Sequence, residues 1–188
     1  MKTIMKSILG ITLLFTASSF TTSAIDKKVV KESSITWKGK KIMGSHTGTI
    51  TLKEGFIEME GDELVGGIFI VDMTTITDTD MEGEGKAKLE RHLKSSDFFA
   101  VDYYPTADLI ITSAVKNGNL YVTTGELTIK GITKPITFDL EMGATGARAS
   151  LKIDRIKYDI HYGSGSFTDK LADNTISNYF ELDVMLTF

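Results

Sequence analysis

The 188-residue chain is 41% hydrophobic and carries a formal net charge of −4. It has no cysteine, which excludes thiol catalysis, cysteine-based zinc sites, disulfides and lipidation of a cysteine. So acidic a chain is a poor partner for nucleic acid or for an anionic membrane surface.

Residues 1–24 have the layout of a secretory signal peptide. Lys2 and Lys6 form a basic start, Ile8 to Phe15 an apolar core, and Thr22-Ser23-Ala24 a small-residue cleavage site. That core is shorter than the ~20 apolar residues needed to span a bilayer, so no stable membrane insertion is expected. Cleavage removes two lysines and no acid, which takes the charge to −6. The remaining residues, 25–188, suffice for one domain that relies on its hydrophobic core.

From Val30 onward the dominant period is two, the period of strands. Ile35 and Trp37 open the first. Ile42, Gly44, His46, Gly48, Ile50 and Leu52 share one phase, Glu54-Gly55 reads as a turn, and Phe56 to Glu60 reads as the returning strand. Leu64 to Ile76 is apolar in both phases, as in a strand covered on both faces, with Asp72 in its middle. Thr77 to Lys86 reads as a solvated loop. A helix is predicted near residues 86–97, with Leu89, His92, Leu93 and Ser96 on the face turned to the sheet. Asn117-Gly118 marks a hairpin between Ala107–Val115 and Leu120–Ile129. Lys130 to Lys134 forms a turn, and Pro135 starts the next strand. Ala149, Leu151, Ile153 and Arg155 then share a phase, and Phe180, Leu182, Val184, Leu186 and Phe188 alternate to the end. The fold class is therefore mainly β: a single antiparallel barrel of about eight to ten strands with one short inserted helix. A barrel of ~8 strands is just wide enough inside for one small ligand.

An ordered set of short segments runs through nearly all of this domain. Trp37-Lys-Gly39, His46-Thr-Gly48, Gly66-Gly67, Asp72-Met73, His92-Leu93-Lys94-Ser95 and Asp97-Phe98-Phe99 come first. Tyr104-Pro105-Thr106-Ala107, Gly125 to Lys134 and Ile153-Asp154-Arg155 follow. The set resembles the YceI-like family of secreted and periplasmic bacterial proteins. The resemblance implies a lipocalin-like barrel that holds a polyisoprenoid, a quinone or a similar amphiphile, with no cofactor and no established catalysis. It also implies a periplasmic or secreted location. Asp159 departs from the pattern, which usually has glycine there.

The aromatics Trp37, Phe69, Phe98, Phe99, Tyr104 and Phe167, with Met73 and Leu93, are candidates to wall a cavity or to fill the core. Asp72 and Arg155 sit among apolar neighbours, where an unpaired charge is costly. Three readings stand: they pair with each other, Arg155 holds an anionic head group, or they are structural or strand-end charges that reach water. His46, His92 and His161 lack metal-binding spacing, so no metal site is expected. His92 reads as a hydrogen-bonded anchor. Two rival readings stand beside the lipid carrier. One is an enzyme acting on a small amphiphile with His46 or His92 as base; the other is a structural or stress-response barrel with a solid core. Association into a homodimer stays open.

Overall fold

The computed structural model describes residues 24–165 and 175–188. The predicted signal peptide, up to residue 23, and the loop predicted at Asp169–Asn174 lie outside the described residues. In chain order the elements are β1 (Ile25–Val29), β2 (Glu32–Lys41), β3 (Gly44–Glu60), β4 (Glu63–Asp78) and α1 (Gly83–Lys94). They continue as β5 (Thr106–Asn117), β6 (Leu120–Ile129), β7 (Ile132–Met142), β8 (Gly146–Asp154), a 3-10 turn at Arg155–Tyr158, and β9 (Ile176–Thr187).

Every strand pairing is antiparallel. The order β3-β2-β9-β8-β7-β6-β5-β4 returns to β3, because β4 pairs with β3 as well as with β5. Closure of this kind removes both sheet edges and turns alternate side chains inward. The fold is thus the expected antiparallel barrel, closed by eight strands, with one short helix and one additional strand, within the eight to ten strands expected. β2 pairs with Gly44–Ile50 of β3, and β1 takes its far half, Phe56–Glu60.

Several boundaries differ from the sequence expectation. Glu54-Gly55 is no turn: β3 runs through it for 17 residues, and the hairpin lies at Gly61-Asp62. A register shift between Leu52 and Glu54 leaves Lys53 as an extra residue. Such a bulge reverses the phase, so Ile50 and Leu52 face inward before it and Ile57 and Met59 after it. Two opposite phases in one strand read as two strands in the sequence. Pro135 lies inside β7 rather than at its start. It faces Glu126 of β6, while pairing with β8 begins only at Asp139, so its missing N–H interrupts no ladder.

The helix begins and ends about three residues earlier than expected. It stops where the Ser95 N–H and hydroxyl both bond the His92 carbonyl. Leu93 is its one buried residue, Leu89 and His92 are half-buried, and Ser96 is exposed beyond its end. Most of the apolar cover comes instead from the turns after it, where Phe98, Ala100 and Val101 are buried. What latches α1 to the barrel is polar. Glu90 accepts hydrogen bonds from the Thr77 hydroxyl and from the Asp78 N–H. The Thr77 bond above all, with Asp78 and against burial, holds its carboxyl below the usual range. Thr77 and Asp78 accordingly end β4 instead of opening a solvated loop, and Asp78 is completely buried.

Glu90→Ala should loosen this latch at a cost of about 1–2 kcal/mol, the scale of hydrogen bonds to a partly exposed charge. Hydrogen exchange should quicken across Gly83–Lys94 while the β6–β7 hairpin keeps its protection. Equal loss of protection in both would contradict the assignment.

Candidate functional site: the barrel interior and its polar rim

The inward side chains do not fill the barrel. They leave a partly open cavity of about 130 Å³, walled by all eight closing strands and by Phe99, and among the described residues no polar surface faces it. Small side chains at Ala107 and Ala149 keep the space from closing, and Phe99 meets Phe180 edge to face, ring centres 6.2 Å apart. Of the candidate wall residues, Trp37, Phe69, Met73 and Phe99 line the cavity. Leu93, Phe98 and Tyr104 do not. Leu93 is buried beneath the helix. Phe98 stacks outside the cavity wall against His92 and Tyr162, at 4.9 and 5.5 Å between ring centres. Tyr104 is exposed and lies over Gly131 at the β6–β7 turn. Phe167 lies outside the described residues. Leu127, Phe138, Leu151 and Phe180 belong to the wall as well, and their place in the inward phase of each strand was the signal for them.

Trp37 is fixed by a hydrogen bond from Nε1 to the Thr77 carbonyl, 3.1 Å. Gly48 lies against both groups. A Cβ there would sit 1.9 Å from the Thr77 oxygen and 2.6 Å from the indole, so no other residue fits.

The polar candidates part company. Asp72 and Arg155 do not pair. Asp72 is near the surface, where its Oδ1 accepts from the Thr74 N–H and hydroxyl at 2.9 and 2.6 Å, and these bonds lower its pKa. It organises an irregular stretch of β4 instead of neutralising a buried cation. Arg155 is buried, but its partners are backbone carbonyls: Ser177 at 2.8 Å, Ile160 at 2.7 Å and Ile176 at 3.1 Å. Burial draws its pKa down, with Asp154 opposing. The guanidinium clamps the turn after β8 to the start of β9, and Arg155 is not one of the residues that line the cavity. Asp159 follows that turn at φ 56°, in the left-handed region. An aspartate tolerates this region better than most side chains, so the departure from glycine keeps the local backbone.

His92 acts as an anchor. Its Nε2 is 3.4 Å from Asp97, and its ring meets Phe98 and Tyr162 edge-on. His46 shares a phase with Ile50 and Leu52 but lies at the barrel rim, not on the cavity wall. Its Nδ1 is 3.1 Å from Asp80 Oδ1 and 3.9 Å from Asp78 Oδ2. Burial first, and then Asp80, raises the Asp78 pKa. For Asp80, burial is outweighed by hydrogen bonds involving His46, Asp78 and the Thr47 N–H, so its pKa falls. This grouping was not anticipated, because its members are separated by more than thirty positions and only the β3–β4 register joins them.

A family model described as a YceI-like domain matches residues 24–188. The protein YceI of Shigella flexneri is 32% identical over 151 residues, covering 75% of this chain and 74% of that protein. Among solved structures, Burkholderia cenocepacia BcnA superposes with a TM-score of 0.67 at 19% identity, over 83% of this chain and 96% of its own. A Campylobacter jejuni YCEI protein superposes with a TM-score of 0.52 at 17% identity, over 96% and 93%.

Arg155→Met should lower unfolding stability by about 2–4 kcal/mol, because three carbonyls lose a charged donor. The urea midpoint measures this. If Arg155 instead held a ligand head group, stability would be nearly unchanged and ligand selectivity would move.

Proposed function

The chain belongs to the YceI-like family, and on that footing we propose that it binds the hydrocarbon part of an amphiphile inside its barrel. The guest is an isoprenoid, a quinone or a molecule of that kind, sequestered or carried through an aqueous compartment. The observation that carries this reading is the hollow: eight strands direct apolar side chains at one space and leave it unfilled. The proposed role is binding without chemistry on the guest: among the described residues Asp108 is the one ionisable residue that lines the cavity, and no polar surface faces it. Residues 1–24, with their basic start, apolar core and small-residue end, support a periplasmic or secreted site of action.

Size sets the terms of binding. Apolar cavities of ~150 Å³ stay dry and take a benzene-sized guest, and this one is about 130 Å³. Some six buried carbons at ~0.8 kcal/mol each give ~5 kcal/mol, an affinity between millimolar and micromolar. A longer chain reaches micromolar affinity with ~ten methylenes, but only if wall side chains move. The Phe99–Phe180 pair, one ring on a turn and one on β9, is the movable part of the wall in this reading.

Trp37 is the only tryptophan and lies on the wall, so its emission reports on occupancy. Untagged, delipidated protein should bind farnesol or a short-chain ubiquinone, with a shift in Trp37 emission and a one-guest adduct in native mass spectrometry. Ala149→Phe should fill the hollow and abolish both signals while the protein stays folded. Wild-type protein that ignores both probes and is always purified empty would sink the carrier reading.

A further inference from the structure

We infer that His46, Asp78 and Asp80 form a binding site for one divalent transition-metal ion of the zinc type at the rim of the barrel. The three donor atoms, His46 Nδ1 and one oxygen of each carboxylate, lie within 4.8 Å of one another. Ligands held at ~2.0–2.2 Å from one ion stand about 3–3.5 Å apart. The His46–Asp80 pair already has that spacing at 3.1 Å, and His46–Asp78 is close to it at 3.9 Å.

Asp78 supplies a second, independent observation. Its side chain is fully buried, and its Oδ1 accepts from the Asp80 and Met81 N–H groups at 3.2 and 2.7 Å. Its Oδ2 has no hydrogen-bond partner among the described residues. A buried carboxylate oxygen left without a donor is costly, and this one lies on the side of the imidazole. No lysine or arginine pairs with either carboxylate among the described residues. The Thr47 N–H holds Asp80 Oδ2 at 2.9 Å, which leaves Oδ1 for the ion. Such outer contacts orient ligands in metal sites. His46 and Asp80 are each about a third exposed, at 29% and 31%, so an ion can enter from solvent and keep water as its remaining ligands. One imidazole with two carboxylates suits zinc or a neighbouring transition ion better than magnesium or calcium, which favour oxygen alone. The bound ion would tie the start of β3 to the connection between β4 and α1, next to the Trp37–Gly48 contact. The inference stands apart from the lipid reading.

The test uses untagged, chelator-treated full-length protein titrated with Zn(II) by calorimetry, and with Co(II) by visible absorption. Saturable binding of a single ion is expected, with a raised melting temperature and the absorption of cobalt held by nitrogen and oxygen. His46→Ala and Asp80→Asn, both at the accessible rim, should each weaken Zn(II) binding by about tenfold or more and leave the apo-protein folded. Asp78→Asn keeps the Oδ1 acceptor and should weaken binding likewise. No saturable binding would overturn the site and leave a proton shared between Asp78 and Asp80 as the occupant of that gap. Binding that survives His46→Ala and Asp80→Asn, or that magnesium matches, would overturn it as well.

Discussion

The pairing of β3 with β4 is the constraint on which the rest of the structure depends. Loss of any one of the eight pairings around the ring would open it into a twisted sheet, and this one joins its two longest strands. Without it two long edges would stand open and the interior would be wetted, because open edges invite further pairing and an open face meets water. The seam is irregular, with register shifts at Thr49/Thr51, Leu52/Glu54 and Glu58/Met59. Each bulge adds bend and local twist, and β3 and β4 are the strands that most need them, being the longest. Gly48 and Gly67 permit the close approach along the seam, where a Cβ would meet the Thr77 and Phe56 carbonyls.

Charge is placed where irregular backbone needs a partner. Arg155 and the Oδ1 of Asp78 spend their hydrogen bonds on backbone groups of the turn after β8, the start of β9 and the bend that leads to α1, and Glu90 divides its own between the Thr77 hydroxyl and the Asp78 N–H at the end of β4. An irregular segment against a barrel carries orphan N–H and C=O groups, and a buried ionised side chain is a strong partner for them. These charges therefore fix loops and present nothing to the interior. In the proposed binding role, recognition inside the barrel would rest on shape and apolar area, selecting guests by length and girth more than by head group.

What could be read from the sequence follows from the range of the interactions concerned. Alternation along β8 and β9 is local, so the inward phase from Ala149 to Ile153 and from Phe180 to Leu186 was legible, and so were four wall residues, Trp37, Phe69, Met73 and Phe99. The Lys53 bulge was not, because a phase reversal inside a strand looks like a turn when Gly55 stands beside it. The pairing of Asp72 with Arg155 fails for a related reason. Period-two patterning tells which face a residue occupies, but not whether a backbone carbonyl or a neighbouring threonine is within reach. Glu90 and the His46–Asp78–Asp80 group depend on a register fixed only by closure, so no spacing in the chain announces them.

A barrel of this size does not need a hollow, and the hollow is not free. At ~24 cal/mol per Å³, 130 Å³ of unfilled apolar space forgoes about 3 kcal/mol, a sizeable part of the 5–15 kcal/mol that holds a typical domain together. Larger side chains at Ala107 and Ala149 would recover some of it, since the described residues turn no polar surface to the cavity. Water is no substitute, because a surface without donors or acceptors cannot hold it. In the proposed carrier reading, a hydrocarbon guest would restore the missing contacts and add the transfer of its own surface out of water. That energetic asymmetry, rather than any single side chain, is the physical ground on which the proposal rests.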